Sequence, residues 1–156
     1  RNIKRALQAG CYTATDFDPA EVIRLAKEQV LLFGEGKTDF ESFTGLYNFL
    51  HQRKQALTYG IYSANKQLLA SCIFFFSHKR AYYILVGNHP DGKTIGASHM
   101  LIDAFIKNHA GQDMLLDFEG SDIRNLAFFY SSFGASVETY PAVTIDRLPW
   151  WVRWVR

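Results

Sequence analysis

The chain has 156 residues, 48% of them hydrophobic and 15% aromatic, enough apolar material for the core of one domain and too much for a disordered chain. Seventeen basic against fifteen acidic residues leave a net charge of +2, too near balance to point to a nucleic-acid partner. The two cysteines, Cys11 and Cys72, come without a spaced His/Cys set, so neither a zinc site nor a disulfide framework is expected, and no metal.

Asn2 to Gln8 carries Ile3, Ala6 and Leu7 on one side with Lys4 and Arg5 between them, a short amphipathic helix stopped by Gly10. Because the chain opens at Arg1 inside a helix, the expectation is the later part of a longer protein, with this helix as a linker. No signal-peptide pattern opens the chain, no apolar run approaches the ~18 residues of a membrane span, and reduced thiols fit a cytoplasmic setting. Cys11 to Phe17 reads as a strand. Asp18 caps the helix that follows, with Pro19 at its first position. That helix runs to about Phe33 with Val22, Ala26, Val30 and Phe33 inward. After Gly34-Glu35-Gly36, a second helix from Asp39 to about Lys54 lines up Phe40, Phe43, Tyr47 and Leu50.

An antiparallel meander follows: Leu57 to Ser63, Leu68 to Ser77 and Ala81 to Gly87, joined by polar turns at Asn65-Lys66 and His78-Lys79. The middle strand is apolar on both faces, which places it centrally with helices on both sides of the sheet. His78 is read as a turn residue. A helix from about Ile95 to His109 then leads to the strand Met114 to Phe118, and this strand, helix, strand unit predicts a right-handed crossover with parallel strands. The start of that helix, beside Gly92, Lys93 and Gly96, offers free N–H groups and a positive dipole end where a pyrophosphate would fit. The competing reading is an ordinary glycine-bearing loop with a solvated lysine.

From Asp113 to Ala135 the chain reads strand, tight turn, helix. Ser121 is the expected N-cap, Gly134 the expected left-handed C-cap, and Ile123, Leu126, Ala127, Tyr130 and Phe133 recur at helical spacing. Asp117 and Glu119, two apart, would project from one face of the strand at its carboxyl end, where open α/β sheets place their chemistry. Equally open is that both are solvated loop acids capping neighbouring N–H groups. A last strand, Val137 to Ile145, is expected before the tail Arg147 to Arg156. That tail holds three tryptophans and three arginines with no acid. As a helix it would suit a membrane surface; as a strand or packed extension, the preferred reading, it would add to the sheet.

The resulting fold class is α+β (a three-layer α/β arrangement), with a mixed, mostly antiparallel sheet and helices on both faces. This order resembles the GNAT acyltransferase fold over nearly everything after Gly10. In that family the helix after the fourth strand opens with Gln or Arg, two residues, Gly, one residue, then Gly or Ala; Lys93, Gly96 and Ser98 stand at those places here, with lysine and serine as departures. The resemblance implies an acyl-coenzyme A site drawn from Gly87, Gly92, Lys93, Thr94, Gly96, Ala97 and Ser98. It also implies a general acid at Tyr130, which precedes Gly134 as the family's tyrosine precedes its glycine, although Ile123 stands where an asparagine is usual. Glu119, with Asp117 beside it, would take the amine proton, and backbone N–H groups near Gly87 would polarise the acyl carbonyl.

The D-F-E-G-S turn, the F-Y-x-x-F-G-A helix and the closing R-L-P-W look most like Fem/CelD-like bacterial proteins, in which two GNAT-type modules are fused. On that likeness residues 1–10 are a linker from an upstream module, 11–146 the GNAT-like domain and 147–156 a Trp/Arg-rich extension. The function implied is transfer of an activated acyl or aminoacyl group to an amine, on a small molecule or a peptidoglycan precursor, with tRNA as a partner by family analogy alone. The alternative is a non-catalytic GNAT-like binding or structural module of a two-module protein.

Overall fold

The computed structural model describes residues 1–33, 40–119, 123–139, 141 and 143, without the side chains of 30–33. It forms two compact units, Arg1–Glu119 and Gly120–Arg156. In the first, the elements run α1 (Asn2–Gln8), β1 (Tyr12–Thr15), α2 (Pro19–Phe33), α3 (Phe40–His51), β2 (Ala56–Tyr62), β3 (Leu68–Ser77), β4 (Arg80–Asn88), α4 (Pro90–Ile95), α5 (Ala97–Asn108) and β5 (Leu115–Asp117). The second unit carries α6 (Arg124–Ser131).

Local chemistry accounts for the boundaries. The Asp18 carboxylate accepts the N–H of Ala20 at 2.9 Å and so caps α2 ahead of Pro19. His78 and Lys79, at φ 49° and 60°, form the two-residue turn of the β3–β4 hairpin, so His78 is a turn residue as expected. The strands lie in chain order, β1 to β5, with β3 central and only the β4–β5 pair parallel, Arg80 opposite Leu115 and Tyr82 opposite Asp117. The crossover through α4 and α5 imposes that parallel pairing.

Each face of the sheet has its own core. On one, Val22 of α2 and Tyr47 of α3 pack with Ala56 and Ile73, flanked by Phe17, Phe43, Leu50, Phe75 and Leu85. On the other, Phe105 of α5 stacks on Phe74 at 3.8 Å between ring centroids, and Tyr59 meets both rings edge-on. The expected Val22 and Ala26 of α2 are buried, as are Ile23 and Leu25, which the predicted stripe omitted. Val30, Phe33 and the Gly34-Glu35-Gly36 stretch lie outside the described side chains.

A row of small residues lets α2 approach the sheet. Gly60, Ser71 and Gly87 are register partners across β2, β3 and β4. A Cβ on Gly87 would come within 2.9 Å of the Ala26 backbone nitrogen, and one on Gly60 within 2.8 Å of the Phe17 ring. The Ser71 hydroxyl, buried in this row, has no hydrogen-bond partner among the described residues. Ser71→Ala is therefore expected to leave stability unchanged or raise it by about 1 kcal/mol, because it removes an uncompensated buried polar atom. A urea titration checks this; a loss of more than that amount would mean the hydroxyl is bonded.

Four expectations are corrected. The helix after β4 is two helices, starting at Pro90 and broken at Gly96, whose φ of 84° is left-handed. α6 has Ile123 as N-cap without a side-chain cap bond, in place of Ser121, which lies outside the described residues; Gly134 does adopt positive φ, three residues past the helix. Residues 137–139, 141 and 143 form no strand, and the remainder of the expected Val137 to Ile145 strand lies outside the described residues, as does the tail. In α1, Leu7 is exposed, and the buried contact is made by Ala6.

Candidate active site

β4 is where the sheet departs from a regular ladder. Its pairing with β5 stops at Tyr82, where β5 ends at Asp117, and β4 continues alone on that edge to Asn88. On the opposite edge the β3–β4 register steps from Ile73–Ile84 to Cys72–Val86, which leaves Leu85 as a bulge at φ 43°. Tyr83 consequently packs on Phe74 on the α5 face, while Leu85, two residues on, packs on the Val22 and Ile73 face. A leucine at positive φ costs about 1–3 kcal/mol and persists only where its surroundings hold it, a pattern common beside active sites.

The amides next to the bulge are not all open. Asn88 donates its N–H to the Gln29 side chain at 2.8 Å, and its own side-chain oxygen accepts the Ser98 hydroxyl. Gly87 lies beneath α2, so its missing side chain is explained by helix packing. Gly92 sits inside α4, where a Cβ would fall 2.2 Å from the Leu69 carbonyl oxygen. Around Gly96 the neighbour is α1, with Asn2 Cβ 2.7 Å from where a Cβ would stand; Thr94 gives its carbonyl to the Arg5 guanidinium at 3.0 Å. Lys93 is in the last turn of α4, Ala97 is fully buried, and Ser98 is in the first turn of α5.

The two acids do not share a strand face. Asp117 ends β5, with one carboxylate oxygen on the Arg80 guanidinium at 3.0 Å and the other accepting the Glu119 N–H at 2.9 Å. Glu119 has left the strand at φ 63°, in a turn held by that bond. Asp117 thus fastens the end of β5 to β4. Tyr130 is on α6, in the second unit, and burial raises its hydroxyl above the ordinary phenol range. Both cysteines are buried and free; burial pushes the Cys72 thiol well up, which keeps it protonated and unreactive. Among the described residues no cluster of acids, histidines and cysteines could hold a metal ion, and no helix is long and apolar enough to cross a membrane.

Sequence reasoning missed Leu85, Gln29 and Asn2. The only available signal for Leu85 was the run of five aromatic or aliphatic residues from Tyr82, which hides a change of side.

No family model matches the sequence, and no curated protein matches it. Solved structures do. A predicted acetyltransferase from Clostridium acetobutylicum, solved with acetyl-CoA, superposes with a TM-score of 0.67 at 14% identity, over 87% of this chain and 96% of that one. FemX superposes with a TM-score of 0.69 at 12% identity over 85% of this chain, which spans 52% of FemX. A ribosomal-protein-alanine N-acetyltransferase from Brucella melitensis biovar Abortus 2308 gives 0.59 at 13% identity, over 87% of this chain and 98% of that one. With identities this low the likeness is one of architecture. A five-stranded, mostly antiparallel sheet with helices, superposing over most of its length on these acetyltransferases and on FemX, identifies the architecture: this chain has the GNAT fold.

Proposed function

We propose that the chain is an acyltransferase module that passes an activated acyl or aminoacyl group to an amine, with the reacting carbonyl seated along β4 where it runs on past the end of β5. The bulge at Leu85, a strained residue three positions beyond the last β4–β5 pair, carries the reading. The acceptor amine attacks the carbonyl carbon, and the oxyanion that develops is met by backbone N–H groups between Leu85 and Gly87. Glu119 takes the amine proton directly or through water as the C–N bond forms. The leaving group takes up a proton as its bond to the carrier breaks, a role that the family resemblance gives to Tyr130, and solvent restores that proton. Asp117 positions Glu119 through the turn they share. Support for an amine acceptor comes from neighbours named for acetylating aminoglycosides and ribosomal-protein alanine.

The coenzyme A corner does not fit in the same way. The glycines expected beside a pyrophosphate, Gly92 and Gly96, are filled by Leu69 and Asn2, so no step is routed through that group. Those contacts, with Asp117 tied to Arg80, favour the second reading, a non-catalytic module paired with an upstream GNAT-like one. Mass spectrometry of amine panels incubated with acetyl-coenzyme A or aminoacyl-tRNA separates the two. Tyr130→Phe is expected to keep the melting temperature and slow turnover about a hundredfold. Unchanged turnover removes Tyr130 from the mechanism, and no product with any donor selects the second reading.

A further inference from the structure

The α4–α5 junction is the place where a GNAT-like sequence is expected to hold phosphate, and α1 lies across it. Asn2, Arg5 and Ala6 share one face of α1 through their three- and four-residue spacing. Ala6 is fully buried there, small enough for a close approach. Asn2 fills the space left by the absent Cβ of Gly96, its Cβ at 2.7 Å and its carbonyl oxygen at 3.0 Å from that position. Its carboxamide nitrogen lies 3.1 Å from His99 Nε2, in the first turn of α5. Arg5 donates to the Thr94 carbonyl at 3.0 Å, one of the acceptors that the end of α4 leaves without a helical partner.

Gly96 itself has no spare capacity. Its N–H closes α4 on the Gly92 carbonyl at 3.1 Å, and its carbonyl opens α5 by accepting from His99 and Met100. Its conformation serves the break between the two helices, and its missing side chain serves α1. Nothing about this glycine is left for a ligand to explain. We propose that the junction is a docking seat for α1, and that this module does not hold the pyrophosphate of a coenzyme A donor there. A donor used by this chain is then held by its acyl end along β4 past the end of β5 and by surfaces away from the start of α5. The seat is a packing feature of the unit whatever reaction the β4 edge supports.

Hydrogen exchange of the α1 amides, followed in the full chain with and without coenzyme A or inorganic pyrophosphate, tests this without any turnover. Neither probe is expected to change α1 exchange. Asn2→Ala and Arg5→Ala are each expected to speed it on the order of five- to tenfold while β3 amides stay protected, which shows that the fold survives. Exchange that is unmoved in both variants would overturn the seat. So would loss of α1 protection on adding either probe, or a tenfold weaker pyrophosphate affinity in Arg5→Ala, since each makes the corner an anion site. Coenzyme A that binds without disturbing α1, and equally well in Arg5→Ala, upholds it.

Discussion

Gly92→Ala is expected to destabilise the first unit by about 3 kcal/mol or more, despite the roughly 1 kcal/mol that alanine gains over glycine in a helix. The reason is where the methyl group would go. It would stand 2.2 Å from the Leu69 carbonyl oxygen and 2.9 Å from its carbon, both backbone atoms of the central strand. That carbonyl also accepts the His89 N–H at 2.9 Å, the bond that fixes the start of α4 on the sheet. Relief therefore requires either lifting α4 or displacing β3. For a chain of this size the melting temperature should fall by about 6–12 °C. The same measurement decides between two roles for Gly92. A variant that melts like the parent but loses a phosphate-bearing ligand would return the residue to the binding role expected from the sequence.

The second large effect is expected at Phe74. Its ring is fully buried, stacked on Phe105 and met by Tyr59 at 5.3 Å and Tyr83 at 5.5 Å. Phe74→Ala removes the centre of the core on the α5 face, for a cost of about 3–5 kcal/mol from lost transfer energy and the cavity left behind. Urea unfolding should show a lower midpoint with an unchanged slope, and Phe74→Leu should recover a large part of the loss. The consequence reaches β4, because Tyr83 leans on Phe74 two residues before the bulge at Leu85. Any transfer activity should therefore fall in Phe74→Ala even below its melting transition. Activity retained in full would detach the bulge from the core that is taken to hold it.

Several elements were legible before any coordinates. The Asp18–Pro19 start of α2, the His78–Lys79 turn, the double-sided burial of β3 and the parallel return of β5 all depend on residues within a few positions of one another, or on a handedness rule that needs only element order. The candidate site was less legible. Asp117 and Glu119 looked equivalent because their spacing suggested one strand face. A side chain-to-backbone bond between them ends the strand and turns Glu119 away. The bulge at Leu85 was hidden in the same manner, since a strand with one extra residue has the same composition as one without.

By itself, then, the sequence determined most of the helices, strands and turns through β5, their order, and with them the GNAT fold, because caps, turns and hydrophobic periods are written in neighbouring residues. Only the tertiary structure decided what the glycines are for. Gly92 and Gly96 read as a phosphate cradle and Gly87 as part of the same cofactor site, but each empty Cβ position is filled by a residue remote in the chain: Leu69, Asn2 and Ala26. A glycine records that something must come close, and which atom comes close is set by packing between elements that no local signal encodes.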